Sequence, residues 1–529
     1  MSRLHAPTLA LACAFALLTP RSASAQFHSV GNDIREHDAP DKFSFELHGY
    51  LRTRGEILSN LDLDRGLSPS GEPLFAVPLD DPSGQNLYQA DMRLRTDASV
   101  YAPGGSVAVH VRLDLIDNLT LGSTPDDIPA ATVGQRFLDS SIHLRRAWGE
   151  VLTPFGLLTV GRQSNSWGLG LLANAGDCPD CDGGDAADRI AFTTPVAGLI
   201  WSLAVDISST GPLGQRAAGT RAVDLTPTDD VSTVTLAALQ WLGDAARKRR
   251  HVAGRTSTEY GAYLSYRWQQ GDTPTSYLPT STPVGLTAAQ VVPRGLNAIA
   301  TDVWLRIEQR AFRLEFEGAL LYSSIESTSL IPGVLLRDSV TGTQFGGALE
   351  TDFLPRDGAV TFGLDLGYAS GDSAPGFGAF PRTLQASPLP GDLDGPQATL
   401  PYDTTVDNFR FHPDYRVDRI LFREIIGRVT DAYYFRPHVR WRLFDQPFGT
   451  LALTASGVAS FAVFASSTPG NRSPLGVEID PALTYESGDG FTAAVEYAVL
   501  FPLSGFSNPE AGLTATPAQL LRLRLQLAY

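Results

Sequence analysis

The chain has 529 residues, 43% of them hydrophobic, with 50 glycines, 36 prolines and a formal net charge of −16 at pH 7. So acidic a chain argues against nucleic acid as a partner. Past the N-terminus, no stretch holds the roughly 18 or more uninterrupted apolar residues of a membrane-spanning helix.

The first predicted element is a leader. Arg3 and His5 precede an apolar run from Leu9 to Leu18, and Ala23-Ser24-Ala25 offers small residues for cleavage before Gln26. This is the secretory pattern, with an apolar run too short to cross a bilayer. Cys13 lies inside that run with Ala10 three residues before it, which does not suit lipid attachment. Cleavage after residue 25 would leave 504 residues and, with Arg3 and Arg21 gone, a charge of −18. Lysine occurs only at Lys42 and Lys248. Nearly all positive charge is therefore arginine, from codon bias or from a need for rigid fixed charge in a polar cavity.

From residue 43 the chain reads as strands. Phe43, Phe45, Leu47, Gly49 and Leu51 alternate with Ser44, Glu46, His48, Tyr50 and Arg52. Ala90, Met92 and Leu94 then alternate with Gln89, Asp91, Arg93 and Arg95. After the turn Ala102 to Gly105, Val107, Val109, Val111, Leu113 and Leu115 oppose His110, Arg112 and Asp114. Later, Phe312, Leu314 and Phe316 oppose Arg313, Glu315 and Glu317. Tyr433, Phe435, Val439, Trp441 and Leu443 oppose Tyr434, Arg436, His438, Arg440 and Arg442. The chain ends with Leu521, Leu523, Leu525, Leu527 and Tyr529 on one face and Arg522, Arg524, Gln526 and Ala528 on the other.

Period-two alternation gives a strand one apolar and one polar face. Here the polar face mixes Arg with Asp and Glu in strand after strand of about ten residues, the pattern of lumen-facing positions in a transmembrane barrel. Arg145-Arg146 and Val160-Gly161-Arg162 leave the phase ambiguous.

The connections alternate in length. Short turns fall at Ala102 to Gly105, Thr153 to Gly156, Pro355 to Gly358, Asp445 to Gly449 and Gly488 to Gly490. Long polar loops fall at Ser59 to Leu87, Asn118 to Ser140, Ser164 to Ala187, Gly271 to Leu296 and Ser373 to Asp418. The predicted fold class is all-β: a transmembrane antiparallel β-barrel of about 18 strands over residues 43–529, with short periplasmic turns and long external loops, after a short periplasmic segment at 26–42. One turn departs from this scheme. Gly243 to Ser257 falls on the periplasmic side yet is long and carries Arg247-Lys248-Arg249-Arg250-His251, either a solvated turn or a contact for anionic headgroups or a polyanion.

On these residues the chain resembles outer-membrane porins, more narrowly outer-membrane barrels of myxobacterial type, and more loosely alginate-export barrels. The resemblance is carried by Gly49-Tyr50-Leu51-Arg52, Arg146-Ala147-Trp148-Gly149-Glu150-Val151, and Pro154-Phe155-Gly156 leading to Val160-Gly161-Arg162-Gln163. Trp167-Gly168-Leu169-Gly170, Asp188-Arg189-Ile190 and Asp431-Ala432-Tyr433-Tyr434-Phe435-Arg436-Pro437 extend it. It implies a bacterial outer-membrane location among lipid and lipopolysaccharide. It also implies assembly signalled by the last strand, ending at Tyr529, to the barrel-assembly machinery. A homo-oligomer stays open.

Two regions carry candidate chemistry. Pore-lining positions are Glu46, Arg52, Asp91, Arg93, Arg95, Arg112, Asp114, Arg436, Arg440, Arg442, Arg522 and Arg524, whose opposed charges would order water and sort polar solutes. The loop from Ser164 to Ala187 is expected to fold inward as a constriction, through Trp167, Asp177, Asp180, Asp182, Asp185 and Asp188. In it, Cys178 and Cys181 have the spacing of redox or zinc sites, but lack the strand-helix-strand context of the first and the four ligands of the second; an exported chain suits a local disulfide. Asp180, Asp182 and Asp185, beside Gly183-Gly184, suit calcium, or else are solvated or pair with lumenal arginines such as Arg162 and Arg189. No other cofactor is expected.

Catalysis has little support: no GxSxG or HExxH motif occurs, and nine histidines are scattered. The segment Asp418 to Arg428 suggests a short helix capped by Asp418, with Phe422, Ile425 and Ile426 packing the loop. Together these features point to a porin-like channel for polar solutes or an exported polymer, with a non-conducting surface or adhesion barrel as the alternative.

Overall fold

The computed structural model describes residues 42–79, 85–122, 142–211, 214–216, 222–224, 226–272, 291–328, 338–354, 358–378, 388–393, 398 and 402–529. The expected leader at 1–25, and the segment after it up to residue 41, lie outside these residues.

The chain forms a closed antiparallel barrel of 18 strands. They are β1 (Ser44–Ser59), β2 (Asn86–Tyr101), β3 (Val107–Thr120), β4 (His143–Thr153), β5 (Gly156–Ser164), β6 (Ala186–Val196), β7 (Leu199–Ser209), β10 (Val231–Gln240), β11 (Ser257–Asp272), β12 (Val292–Gln309), β13 (Phe312–Ile325), β14 (Val340–Phe353), β15 (Val360–Ala369), β16 (Ala432–Gln446), β17 (Gly449–Ala462), β18 (Pro474–Glu486), β19 (Phe491–Pro502) and β20 (Ala518–Ala528). A small separate hairpin, β8 (Gly214–Arg216) and β9 (Ala222–Asp224), sits between β7 and β10. Each barrel strand pairs with its sequence neighbour, and β20 returns to β1 with Tyr50 opposite Ala528 and Ser59 opposite Gln519. Closure leaves no free sheet edge. Several strands are longer than the ten or so residues expected, β12 reaching 18, as tilted strands that rise past an apolar belt must be.

The two ends differ. Where the chain starts and stops, the near end, β4 and β5 are joined by residues 154–155, β6 and β7 by 197–198, and β16 and β17 by 447–448. At the far end the connections include 60–85, 165–185 and 370–431. The exception expected at Gly243 to Ser257 is real: a helix, α1 (Asp244–Val252), stands at the near end between β10 and β11.

Alternation sets the faces. Phe45, Leu47, Val109, Ile190, Leu203, Phe435, Trp441 and Leu523 are exposed on the outside, while Arg52, Arg93, Asp114, Glu317, Glu478 and Arg522 are buried inside. The ambiguous phase at Arg145-Arg146 has a physical cause. The β3–β4 register slips between Arg112 and Leu113, a bulge that turns both arginines inward, Arg145 to Asp114 and Asp117 and Arg146 to Asp177. The other ambiguous step resolves the opposite way. Arg162, expected in the lumen, shares the exposed outer face with Val160 and Ile190 and pairs there with Asp188 at 2.8 Å.

The inside is divided. Along β20 and β1 to β4 the inward residues are mostly arginines and acids; from β13 to β20 many are small, including Ala319, Ala348, Ala369, Ala432, Ala462, Ala498 and Ala518. Small inward side chains leave room, and the far-end connection 370–431 fills it. Phe377, Phe409, Phe411, Ile420, Leu421, Phe422 and Ile426 pack against those alanines as the main apolar core, which lies inside the barrel. Each such side chain contributes roughly 1.5–3 kcal/mol when fully buried, before the cost of ordering the segment.

A candidate constriction inside the barrel

Two far-end loops descend into the lumen and meet. The first, residues 165–185, leaves β5 and crosses to the opposite wall. There the Trp167 indole donates to Asp302 Oδ1 at 2.9 Å, and the amides of Gly170 and Leu171 donate to the two Glu317 oxygens at 2.9 and 3.1 Å. The Trp167 ring fits because Gly261 on β11 has no side chain: a Cβ there would lie 2.8 Å from it. The returning arm of the loop runs hard against the outgoing one. At Gly176 and Gly184, with φ of 66° and 119°, a Cβ would collide with the carbonyls of Gly183 and Ala175.

The loop tip turns back to the arginine wall, which holds it with a fan of guanidiniums. Arg52 reaches Asp182 at 3.1 Å, Asp91 at 3.3 Å and the Pro179 carbonyl at 3.2 Å. Arg54 binds Asp180 and Asp182 at 3.1 Å each and Asp91 at 2.9 Å. Arg93 donates to the Cys181 carbonyl at 2.6 Å and pairs with Asp117 at 2.8 Å. Arg95 pairs with Asp114 at 2.6 Å and donates to the Gly176 carbonyl at 3.2 Å. Asp177 is shared between Arg146, at 3.0 Å, and Arg112. Arg522 from the last strand pairs with Glu56 and reaches Asp180 at 3.3 Å. Cys178 and Cys181 are joined by a disulfide at the tip.

The second loop locks onto the first. The Asp414 carboxylate accepts the amides of Asp182 and Gly183 at 3.1 Å each, His412 N donates to the Leu171 carbonyl at 2.7 Å, and Arg423 pairs with Asp180. On its other side Glu478 of β18 accepts three successive amides, Arg419, Ile420 and Leu421, at 2.8–3.0 Å. The helix expected from Asp418 to Arg428 is instead a five-residue π-helical turn, Leu421–Ile425. Asp418 does accept the amides of Phe422 and Arg423, and Phe422, Ile425 and Ile426 are buried. Glu478 and Asp418 accept the amides at the start of the turn, which a helix leaves without partners of its own. The amides of Ile425 and Ile426 donate five residues back, to the Ile420 and Leu421 carbonyls.

The remaining expected residues fall elsewhere. Arg436 pairs with Asp365 at 2.6 Å and Arg524 with Glu496 at 3.7 Å. Glu46 accepts from the Tyr101 hydroxyl. Arg440 and Arg442 are half-exposed close to the near-end turn before β17, away from the loops. Asp188, expected in the constriction, belongs to β6 and to the outer face. Sequence reading missed the acids that seat the loops, Asp302, Glu317, Asp414 and Glu478. Inward phase alone marks three of them, and nothing in the pattern marks Asp414.

Of the three acids expected around calcium, two share a guanidinium, Arg54, and the third lies with other partners. Asp180 and Asp182 face guanidiniums, while Asp185 accepts the Asn174 amide at 3.3 Å and lies 3.5 Å from His412. Among the described residues, the carboxylates that converge within 4.8 Å are Asp224, Asp229 and Asp230, on the far-end connection after β7. A chelator is expected to leave the melting temperature unchanged; a fall of several degrees that persists in an Asp224→Asn/Asp230→Asn variant would return a cation to the loop.

Titration of the loops has two opposite signs. Burial by itself raises Asp177, Asp180 and Asp182, but Arg146 and Arg112 beside the first, Arg423 and Arg522 beside the second, and Arg54 and Arg52 beside the third hold all three below the usual carboxylate range. Their ion pairs act in full above the unfolded value of about 3.9 and are lost as pH falls through the lower folded value. Asp431, which accepts from Ser467 and the Phe464 amide, is pushed up to about 7 by burial. Its protonated form is the one the fold favours, so its contribution declines as pH rises from about 4 to about 7. Burial pushes Asp418 and Glu424 of the same connection up as well. Loop docking, read by protease protection, is therefore expected to be strongest near pH 4–5 and to weaken toward neutrality by about 1.4 kcal/mol per pH unit for each proton held only in the docked state. Asp431→Asn is expected to remove its own share of that decline, and a wild-type profile already flat from about pH 4 to 8 would contradict the assignment.

A cavity of about 250 Å³ flanks the first loop, lined by Arg95, Arg112, Arg145 and Arg146 from inside and by Leu144 and Arg162 from the outer face. It lies where β4 and β5 part: their pairing stops at Ala147–Arg162, although β4 begins at His143 and β5 runs to Ser164.

No family model matches the chain, and no curated protein does. Solved structures similar to it include OccK11 (OpdR) of Pseudomonas aeruginosa, 12% identical over 93% of this chain and 98% of its own, with a TM-score of 0.44. OpdK of Pseudomonas aeruginosa, solved with vanillate, is 11% identical over 92% and 98%, with a TM-score of 0.43. The outer membrane channel DcaP of Acinetobacter baumannii is 11% identical over 92% and 98%, with a TM-score of 0.39. At these values they bear on neither solute nor partner.

Proposed function

We propose that the chain is a bacterial outer-membrane channel for polar solutes, narrowed by two interlocked loops, as in the porin-type barrels that its sequence resembles. The observation that supports this most is the wall itself: apolar outside, closed by hydrogen bonds, and lined inside by arginine and carboxylate along β20 and β1 to β4. Lipid satisfies such an exterior, and water or polar solute such an interior.

The solute path runs past the arginines that the loops leave accessible. Arg93 and Arg95, expected from the sequence to set selectivity, are buried and engaged by Asp117 and Asp114, so they act as anchors for the loop tip. Arg145 lines the flanking cavity with its side chain 35% exposed, enough for a passing ion to meet it. In planar bilayers, Arg145→Glu is expected to shift the reversal potential toward cations. An unchanged potential would remove the cavity from the path.

The buried apolar cluster around Phe409, Phe411 and Ile420 favours the second reading, a permanently plugged barrel with a structural or adhesive role. The same bilayers separate the two, since a plugged barrel passes no current even with its loops weakened. Heat-modifiable gel migration tests the barrel independently of conductance.

A further inference from the structure

We propose that α1 is a docking surface for the anionic phospholipid headgroups of the leaflet at the near end of the barrel, resting on the barrel being embedded in a membrane.

One face of the helix is tied to the lumen. Arg247 reaches Glu259 at 3.4 Å and Glu308 at 3.8 Å, and His251 lies 3.8 Å from Glu308. Both glutamates project inward, Glu259 also binding Arg306 and the Leu242 amide. With Arg247 and His251 facing the barrel axis, helical periodicity turns Arg249 and Val252 away from it, toward whatever surrounds the rim, and leaves Lys248 and Arg250 on the two flanks.

That outer face is cationic and has an apolar point. Lys248, Arg249, Arg250 and Arg255 are exposed, as is Arg310 on the adjacent turn between β12 and β13. Among the described residues, none of these five lies within ion-pair distance of a carboxylate. Part of this charge suits the helix itself, since Arg249 and Arg250 fall in its last turn, where cations complement the macrodipole. Lys248, Arg255 and Arg310 are not explained that way. Val252 is 81% exposed, an unfavourable place for valine in water and an ordinary one in a headgroup layer. Tyr260, three residues into β11, faces outward, as the aromatic residues of a membrane boundary do.

Charge complementarity names the occupant. The chain as a whole is at −16, and the near-end turns 102–106, 154–155, 197–198 and 447–448 carry no charged residue. Arg440 and Arg442 at the same end lie within ion-pair distance of Glu486 and Asp445, whereas the five cations around α1 have no such carboxylate among the described residues. A cluster of this kind beside a membrane-crossing segment recognises anionic lipid, and each cation strengthens the attraction about fivefold.

Native mass spectrometry of the full barrel in detergent, with phosphatidylglycerol or phosphatidylcholine added, tests the assignment. Wild type is expected to retain phosphatidylglycerol preferentially, and K248Q/R249Q/R250Q to lose that preference by well over tenfold. Should the variant fail to show heat-modifiable migration, wild type in about 1 M salt serves instead, where screening to about 3 Å removes the preference. Equal retention of the two lipids overturns the proposal, and so does a variant that behaves like wild type. Tight binding of inorganic polyphosphate without a lipid preference also overturns it, making the patch a site for a soluble polyanion. A chain that shows no heat-modifiable migration at all fails as a barrel, a separate outcome.

Discussion

Glu478→Ala is expected to unseat the second loop and raise the conductance of the barrel several-fold. Glu478 is buried on β18 and is the single acceptor for the amides of Arg419, Ile420 and Leu421. Removing it leaves three interior N–H groups without that partner, at about 1–3 kcal/mol each. One effect opposes this. Burial and the adjacent Glu478 push the Asp418 carboxyl well above its usual range, so deleting Glu478 relieves some repulsion. The relief concerns two neighbouring carboxyls, Asp418 and Asp480, and the loss three amides left without an acceptor, so release wins. Glu478→Gln separates the two contributions, because it keeps an acceptor oxygen and removes the charge; it is expected to stay close to wild type. Proteolysis within 402–431 should follow the conductance. Equal conductance and protection in the Ala variant and wild type would remove Glu478 from the role assigned to it.

Arg54→Ala is expected to free the tip of the first loop. One guanidinium serves Asp91, Asp180 and Asp182, and stripping one partner from a buried charge cluster costs about 3–5 kcal/mol. Arg52 still holds Asp182, and Arg423 and Arg522 still hold Asp180, so the loop loosens while the barrel stays closed. Conductance is expected to rise together with preference for cations, since carboxylates are uncovered in the lumen. Arg54→Lys should rescue only in part, because an ammonium cannot span three carboxylates as a planar guanidinium does. Arg440→Ala is the control: half-exposed and 3.9 Å from Glu486, it contributes little. Matching traces from the Arg54 and Arg440 variants would mean that the ion-pair fan does not hold the loop.

Strands, their faces and the alternation of connection lengths were legible because each rests on local chemistry. Leu521 to Tyr529 cannot present one apolar face in any regular element except a strand. Failures of phase had local causes as well: a bulge turned Arg145 and Arg146 to the same side, and Arg162 followed Val160 to the outside. A bulge depends on the partner strand's register, which a single strand's sequence does not carry.

The filling of the lumen was much less legible. The acidic loop could be anticipated as a constriction from its length, its glycines and its place between strands. Its seat on Asp302 and Glu317 depends on strands more than a hundred residues away. The apolar core formed by Phe377, Phe409, Phe411 and Ile420 comes from a connection with no periodicity. Beyond Phe422, Ile425 and Ile426, legible as packing residues of a short helical segment, its signal was indirect, in the inward alanines Ala319, Ala348 and Ala498, where earlier strands carry arginine.

Bilayer conductance of the intact chain beside a deletion of residues 175–184 tests the central claim most directly. That segment carries the tip held by Arg52, Arg54, Arg93 and Arg95, and its removal leaves the strand pairings of the wall untouched. A channel narrowed by this loop predicts small currents from the intact barrel and currents several-fold larger from the deletion. A deletion that folds, shows heat-modifiable migration and still passes no current would contradict a channel of any kind.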